Sequence, residues 1–232
     1  MPPRDVLIAI AVAVVWGLTF IAIKVGLADT PPLAFSALRF LFAAVPLVLF
    51  VRPPKTSPAY VILYGLLIGV GQFGLLYIGI REGFPVGLAS LVVQLQAFFT
   101  ILLAWALRGF IAWSSLAAPA PLLLASIWFE GPTALAALAH PSLTRVLSVF
   151  FLAYAGTTFG YGMWSRLLAR HPAAAVAPFA LLVPIVGMIA GVVVFGEPLD
   201  AFELWGAVLV MAGLSVNIFG DRLRARRLNV VG

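Results

Sequence analysis

Arg39 is the side chain whose position in the sequence points most directly to chemistry. It stands eight residues beyond Pro31, inside an apolar run, about 12 Å along a helix that rises 1.5 Å per residue. A guanidinium this deep in an apolar helix costs about 2.5 to 3.5 kcal/mol on insertion scales, and such residues commonly mark functional sites. Arg39 could attract a solute carboxylate, or it could bind carbonyl oxygens of neighbouring helices or snorkel to the interface. The sequence leaves these alternatives open.

Three glutamines supply the other polar groups at depth, namely Gln72, Gln94 and Gln96. A side-chain amide can donate to a carboxylate and can also accept from an ammonium. Gln94 and Gln96 are two residues apart, so they point about 200° from each other on a helix and cannot both face one cavity. We predict that at least one of the three lines a solute path.

Aromatic side chains at helical spacing form a second group of candidates. Trp16, Thr19 and Phe20 fall at positions i, i+3 and i+4, so they share one face of a helix, and Gly17 leaves room for a close neighbour on another face. Tryptophan and tyrosine also form belts at membrane interfaces, which is the alternative for those near helix ends. The residues of this group that we assign to a solute cavity are Trp16, Thr19, Phe20, Tyr77, Tyr161 and Trp164.

Two prolines interrupt the seventh apolar run. Pro178 and Pro184 lack an N–H, so each loosens the helical hydrogen bonding around it. The result is either a packing kink or a hinge, and both interpretations stay open. A hinge would suit a protein that opens alternately to the two sides of a membrane.

The titratable residues argue against catalysis and against exchange of organic cations for protons. All eight Asp and Glu residues fall at predicted helix ends or in loops, so no carboxylate is expected near the membrane midplane, where a proton-driven cation exporter needs one. His140 and His171 also fall in loops, and no pair of acids, zinc motif or Ser–His set occurs at depth. With no cysteine either, we expect no enzyme, no metal site and no cofactor. The solute is expected to be neutral, zwitterionic or anionic.

The helices that carry these side chains are predicted to be transmembrane. Hydrophobic residues make up 63% of the 232 positions and charged residues 9%, whereas a soluble domain carries about 25% charged residues. Lipid offers the backbone no hydrogen-bond partner, so the apolar runs must be helical, and each is close to the 17 to 25 residues that cross about 30 Å of hydrocarbon. The eight runs are 6–28, 31–51, 60–80, 87–107, 110–129, 143–164, 173–195 and 201–219.

Lysine and arginine are concentrated in alternate loops, which sets the predicted orientation. Arg4, Arg52, Arg108 and Arg166 mark basic loops, and four arginines follow the last run. The loops between them are mixed or acidic. Both termini are therefore predicted to be cytoplasmic, and Lys24, near the outer end of the first run, is expected to snorkel. The basic residues mark membrane topology and imply the lipid bilayer, with no nucleic acid, as the partner.

The sequence contains a weak internal repeat. Placing residues 69–110 over 156–197, a shift of 87, aligns two pairs of predicted helices without a gap, with Gly69 opposite Gly156. The third run is predicted to run outward and the sixth inward, so the two copies are inverted, as in carriers that work by alternating access. The first copy lacks the helix that should follow Gly109, and the second lacks its first helix. Two spans are predicted to be missing.

Short motifs follow one another in a fairly specific order along nearly the whole chain. They are VWGLTFIAIK at 15–24, ALRF at 37–40, IGVGQF at 68–73, GLAS at 87–90, QLQAFF at 94–99, WSS at 113–115, VAPF at 176–179 and GE at 196–197. In these motifs the chain resembles the EamA-like branch of the drug/metabolite transporter superfamily. Within that branch it resembles exporters of amino-acid metabolites of the O-acetylserine/cysteine type.

The resemblance implies an all-α polytopic membrane bundle, with about eight transmembrane helices derived from a ten-helix plan of two inverted halves. It implies a first repeat over residues 1–110, a second over 111–220 and a basic cytoplasmic tail over 221–232. It also implies an inner-membrane secondary transporter that exports a small-molecule substrate, an amino acid or a derivative such as O-acetylserine or cysteine, by alternating access. An inactive, internally deleted remnant of such a transporter is the alternative, and a homodimer is one open arrangement.

Overall fold

A computed structural model describes residues 1–54, 56–93, 110–201 and 204–209. Within these ranges the chain forms helices and connecting loops, with no strand. The helices are α1 Pro3–Gly26, α2 Pro32–Phe50, α3 Pro58–Arg81, α4 86–93, α5 Phe110–Ser115, α6 Pro119–Phe129, α7 Pro132–Ala139, α8 Leu143–Leu168, α9 Ala177–Phe195 and α10 204–209. A single helical turn, Ala173–Val176, precedes α9.

Five of the described helices are long and apolar enough to cross a membrane, namely α1, α2, α3, α8 and α9. The segment Trp113–Phe129, which runs from α5 through α6, is apolar but shorter. The fourth and eighth predicted spans lie largely outside the described residues, which include only α4 and α10 of them. The polytopic all-α membrane bundle predicted from the sequence is confirmed.

Proline and glycine determine where several helices begin and end. Pro3, Pro32, Pro58 and Pro132 each occupy a first helical position, where a missing N–H costs nothing because the first turn has no acceptor for it. Helix α9 ends at Gly196, whose φ of 65° is left-handed and is adopted by glycine without strain. The punctuation that bounds the apolar runs in the sequence thus has a backbone cause.

Helix α1 lies at the centre of the bundle. It packs against α8 and α9, while α2 packs against α3, α6 and α8. The approach of α1 to α9 is closest at Gly17, where a Cβ would overlap the side chain of Val186. The fully buried core side chains on the other helices include Phe35, Tyr77, Leu122 and Leu152.

Two of the spans contain π-helical segments of nine residues each. The first is Leu66–Gly74 in α3 and the second is Phe151–Phe159 in α8. In the second, the hydroxyl of Thr157 donates to a carbonyl oxygen five residues earlier, at 3.0 Å. Shifting the first segment by 87 residues, the shift of the predicted repeat, places it at 153–161, which overlaps the second segment at 153–159. Such segments occur frequently at functional sites.

Four connecting segments meet at one end of the bundle, which we call the acidic end. They are 27–31, 82–85, 130–142, which contains the short helix α7, and 196–200. Arg145 is buried there and donates to the Thr30 hydroxyl at 2.5 Å, to the Asp29 carbonyl at 2.9 Å and to the His140 carbonyl at 3.1 Å. Burial raises the pKa of the Asp29 carboxyl, but hydrogen bonds from Ser142 and Thr30 and the charge of Arg145 outweigh that effect, so the pKa lies below its ordinary value.

Glu130 joins two further helices at the acidic end. Its carboxylate accepts the backbone N–H of Leu33 at 2.7 Å and that of Ala34 at 3.2 Å, and it accepts the Ser126 hydroxyl at 2.5 Å. A carboxylate on the N–H groups of the first turn of α2 is favourable both as a cap and through the helix dipole.

The opposite end, which we call the basic end, includes the described residues 1–2, 51–54, 56–57 and 169–172. In the described part of this end, the His171 imidazole lies 2.6 Å from the carboxylate of Asp5 in the first turn of α1, and Trp113 donates its indole N–H to the Val51 carbonyl at 3.0 Å. Among the described residues, the acidic end thus holds several polar bonds that join separate segments of the chain.

Candidate functional site

A cavity lies inside the bundle, toward the basic end. Its empty space is about 410 Å³ when the open mouth is included, of which about 30 Å³ is space for the centres of water-sized molecules. Helices α2, α3, α5 and α8 form its wall, and both π-helical segments contribute to it. Its described lining residues are Arg39, Phe40, Tyr64, Gly65, Ile68, Gly69, Phe73, Ser114, Ser115, Thr157 and Tyr161.

Arg39 carries the charge of this cavity. Its side chain is 94% buried, and its Nη1 donates to the Tyr77 hydroxyl at 3.0 Å. The guanidinium carbon lies 3.9 Å from the centre of the Phe73 ring and 5.2 Å from that of Phe40, so aromatic faces cover it. Among the described residues, Arg39 therefore neither extends to the membrane interface nor donates to a backbone carbonyl. It is held at depth by a hydroxyl and two rings.

One polar atom of Arg39 is left without a partner. Its Nε is fully buried and has no hydrogen-bond partner among the described residues. The described lining also contains no Asp or Glu, so no lining carboxylate there neutralises the guanidinium. A buried donor left unpaired costs about 1 to 3 kcal/mol, more for a charged group, and such an atom commonly indicates a missing ligand.

Trp16 lies beside this cavity and contacts one of its walls. Its indole N–H donates to the Gly156 carbonyl at 2.9 Å, and its ring centre lies 5.2 Å from those of Tyr161 and Trp164. A Cβ on Gly160 would overlap the indole, so this glycine makes room for it. The three rings form one aromatic cluster, in which Tyr161 alone lines the cavity.

The structure brings some of the other predicted residues to the site and separates the rest from it. Tyr77 is fully buried against Arg39, whereas Thr19 donates its hydroxyl to the Trp16 carbonyl at 2.5 Å and Phe20 packs in the core. Gln72 lies in the π-helical segment of α3 and is not among the described lining residues. Gln94 and Gln96 lie outside the described residues.

The two prolines of the seventh run lie in α9. Pro178 falls in a 3₁₀ segment, Ala177–Leu181, and Pro184 is fully buried, with the Ser90 hydroxyl 3.5 Å from its carbonyl oxygen. The 3₁₀ turn before the regular part of the helix is compatible with both a kink and a hinge. Their assignment to a hinge stays a prediction.

Four polar lining residues were not predicted from the sequence. They are Tyr64, Ser114, Ser115 and Thr157, which line the cavity and whose side chains carry hydroxyls. Serine and threonine are common between membrane helices, where they bind across close contacts, so their type alone gives no signal. Ser114 and Ser115 do belong to the WSS motif at 113–115, which is the signal that could have identified them.

Lys24 and Glu197 form an ion pair that joins α1 to the loop after α9. The second carboxylate oxygen accepts the Val86 N–H at 3.1 Å, and the Lys24 ammonium lies 4.5 Å from the centre of the Phe195 ring. Lys24 therefore pairs within the protein where the sequence led us to expect snorkelling. The carboxylate ties α1, α4 and α9 together at the acidic end.

We expect Lys24→Met and Glu197→Gln to be non-additive. The pair is partly exposed, so its coupling free energy should be about 1 kcal/mol, near the upper limit for accessible pairs. Thermal unfolding of both single variants and the double variant in detergent measures it. Additive losses of stability would show that the pair contributes nothing.

Comparison with known families matches the EamA-like transporter family twice, over residues 4–110 and 108–219. A probable amino-acid metabolite efflux pump of Salmonella typhimurium is 36% identical over 292 positions, covering 97% of this chain and 98% of that protein. A protein of the same description from Escherichia coli is 34% identical with the same coverage. An uncharacterised transporter of Bacillus subtilis is 38% identical over 101 positions, 40% of this chain. No solved structure matches the chain.

The two long alignments differ from this chain in length. They have 292 positions and the chain has 232 residues, so at least 60 positions fall opposite gaps in this chain. Because 97% of the chain is aligned, these gap positions fall within the chain and not beyond its ends. A stretch of this length corresponds to roughly two spans of about 20 residues with their loops.

Proposed function

The chain belongs to the EamA-like transporter family, and from this premise we propose that it exports amino-acid metabolites across the inner membrane by alternating access. It is a multi-pass membrane transporter and not an enzyme. The observation that supports this proposal best is the cavity around Arg39. It holds a buried charge and several hydroxyls between helices of an otherwise apolar bundle, as a solute site does.

The polar contacts at the acidic end and the position of the cavity support one state of the alternating-access cycle, the state that is closed to the outside. The acidic end is joined by Arg145, Glu130 and the Lys24–Glu197 pair, while the cavity lies toward the basic end. Under the positive-inside rule the basic end is cytoplasmic, which would also place both termini in the cytoplasm. We infer a state closed to the outside, in which the cavity takes up solute from the cytoplasm.

Two inverted repeats are the second part of the proposal, with 1–110 and 111–220 as the halves and 221–232 as a cytoplasmic tail. The near-equivalent π-helical segments of α3 and α8 support it, since each lies on the cavity wall of its own half. If one helix is absent from each half, the wall that they would supply is open to lipid or is provided by a second copy of the chain as a homodimer.

A second candidate function is an inactive remnant of an exporter. The observation that favours it is the 60 or more alignment positions that this chain lacks. The missing segment does not remove the described cavity, whose wall comes from helices that are present. We therefore place export first.

Efflux from proteoliposomes separates the two candidates. We expect vesicles that contain the protein to release preloaded radiolabelled L-cysteine or O-acetyl-L-serine faster than protein-free vesicles of the same lipid, loaded in the same way. The comparison protein carries the two helices of the Escherichia coli relative restored after Gly109. Transport by the restored protein alone would establish the remnant, and the mass of the particle in nanodiscs, measured in parallel, tests for a second copy.

A further inference from the structure

We propose that Arg39 binds the carboxylate of the transported solute, so that the cavity accepts small carboxylates, above all zwitterionic amino acids, and rejects the corresponding amines. This inference rests on the proposed function, since it names the solute class of the same cavity. It identifies one contact, between the Nε edge of Arg39 and a carboxylate, and one residue that orients it, Tyr77.

The orientation of the guanidinium is fixed from two directions. Tyr77 accepts one N–H at 3.0 Å, and the Phe73 ring covers a face at 3.9 Å. The Nε–H is left without a partner among the described residues. The edge of a guanidinium that contains Nε forms two parallel hydrogen bonds with a carboxylate, and this planar match makes arginine the usual residue for the task.

The charge of the cavity selects an anionic group. The described lining has Arg39 as a cation and no carboxylate, and the helices around it pack mainly through apolar side chains. A buried charge is tolerated when it is paired and hydrogen-bonded. A solute carboxylate would supply both the charge and the acceptor that Nε lacks.

Two lining residues of α8 suit the ammonium of a zwitterion. Thr157 donates its own proton to the Leu152 carbonyl at 3.0 Å, so its oxygen can act toward the cavity only as an acceptor. Tyr161 lines the same side, and an aromatic face attracts an ammonium. An ammonium could therefore bind through a hydroxyl oxygen and a ring, with no acidic residue needed.

Tyr77 acts as a positioning residue. It is fully buried and is not among the described lining residues, and its ring packs against Phe35 and Phe73 at centre distances of 5.6 and 6.2 Å. Its hydroxyl therefore affects the solute only through Arg39. Tyr77→Phe keeps the ring and its packing and removes the bond that orients the guanidinium.

Matched pairs of ligands test the proposal on the unaltered protein. Purified protein in nanodiscs is titrated with L-cysteine and cysteamine, L-leucine and isoamylamine, and L-phenylalanine and phenethylamine, with binding read from thermal unfolding and from displacement of radiolabelled L-cysteine. In at least one pair, we expect the carboxylate form to bind about 10- to 100-fold more tightly than its amine. An amine that binds as well as its amino acid in each pair, or a protein that binds none of the six compounds, would overturn the proposal.

Variants locate the contact. We expect Arg39→Gln to remove the preference between amino acid and amine, Arg39→Lys to keep part of it, and Tyr77→Phe to weaken amino-acid binding about 3- to 10-fold without altering amine binding. Arg166→Gln, which removes an exposed charge in the last turn of α8, is the matched control and should bind as the wild type does. A preference that survives Arg39→Gln in a folded protein would exclude this residue.

Failure of this inference and failure of the proposed function are distinguishable. Proteoliposomes that release L-cysteine and cysteamine equally well would leave export standing and refute the carboxylate contact. Protein that binds L-cysteine through Arg39 in nanodiscs but releases none from vesicles would support the contact and refute export.

Discussion

Arg145→Met is expected to lower the free energy of unfolding by about 3 to 5 kcal/mol, because it removes the cation to which several segments of the acidic end are bonded. The guanidinium donates to Thr30, to the Asp29 carbonyl and to the carbonyls of Ala137 and His140. Methionine fills part of the volume and satisfies none of these acceptors. Each buried acceptor then loses its partner, and the Asp29 carboxylate loses a neighbouring positive charge.

The loss is measured as a thermal shift of the detergent-solubilised protein. For a chain of this size it corresponds to a fall in Tm of roughly 6 to 20 °C. Arg166→Met is the matched control, since Arg166 is exposed in the last turn of α8 and should change Tm by little. An equal Tm for wild type and Arg145→Met would mean that water or other groups satisfy the acceptors.

Gly65→Ala is expected to prevent the native contact between α3 and the segment before α6. An added Cβ would overlap the backbone carbonyl of Ser114 and would lie 2.9 Å from the Cβ of Ala117. A backbone atom cannot move aside as the end of a side chain can, so the two elements must separate. We expect a cost of about 3 kcal/mol, at the upper limit for overpacking, and a narrower cavity, since Gly65 lines it.

The control for this substitution lies in the same helix. A Cβ on Gly71 would meet nothing within 4 Å, and alanine favours helix over glycine by about 0.5 to 1 kcal/mol, so Gly71→Ala should be neutral or stabilising. The measurement is the yield of monodisperse protein and its Tm in detergent. If both variants behave like the wild type, the packing at Gly65 is looser than the structure shows.

The fold was predictable because a membrane restricts the choices. Lipid requires helices, so apolar runs bounded by Pro and charge determine the elements, and the described spans begin at Pro3, Pro32 and Pro58 close to the predicted limits. The predicted shift of 87 residues pairs α3 with α8, and both helices contribute to the cavity wall. Both helices contain a π-helical segment on the cavity wall, and no sequence pattern indicated either segment.

The site was predictable only where a residue is unusual for its surroundings. Arg39 and Tyr161 were identified and both line the cavity, because an arginine at depth needs a reason to be there. The spacing of Trp16 and Phe20 predicts that they share a helix face, but it does not say which helix that face meets. In the structure Trp16 packs against glycines of α8. The partner of Lys24 lies 173 residues away, a distance that no local pattern spans.

The paired π-helical segments have a consequence for how the contacts of the cavity are held. One residue gained or lost in a helix rotates everything beyond that point by about 100° and shifts it along the axis by about 1.5 Å. Such a register slip inside α3 would turn Tyr77 away from Arg39, and the same slip inside α8 would turn Tyr161 away from the cavity. The contacts of Arg39 and of the cavity wall therefore depend on the backbone hydrogen bonding inside two single helices. A slip in α3 would carry the acidic-end part of that helix with it, and a slip in α8 the basic-end part.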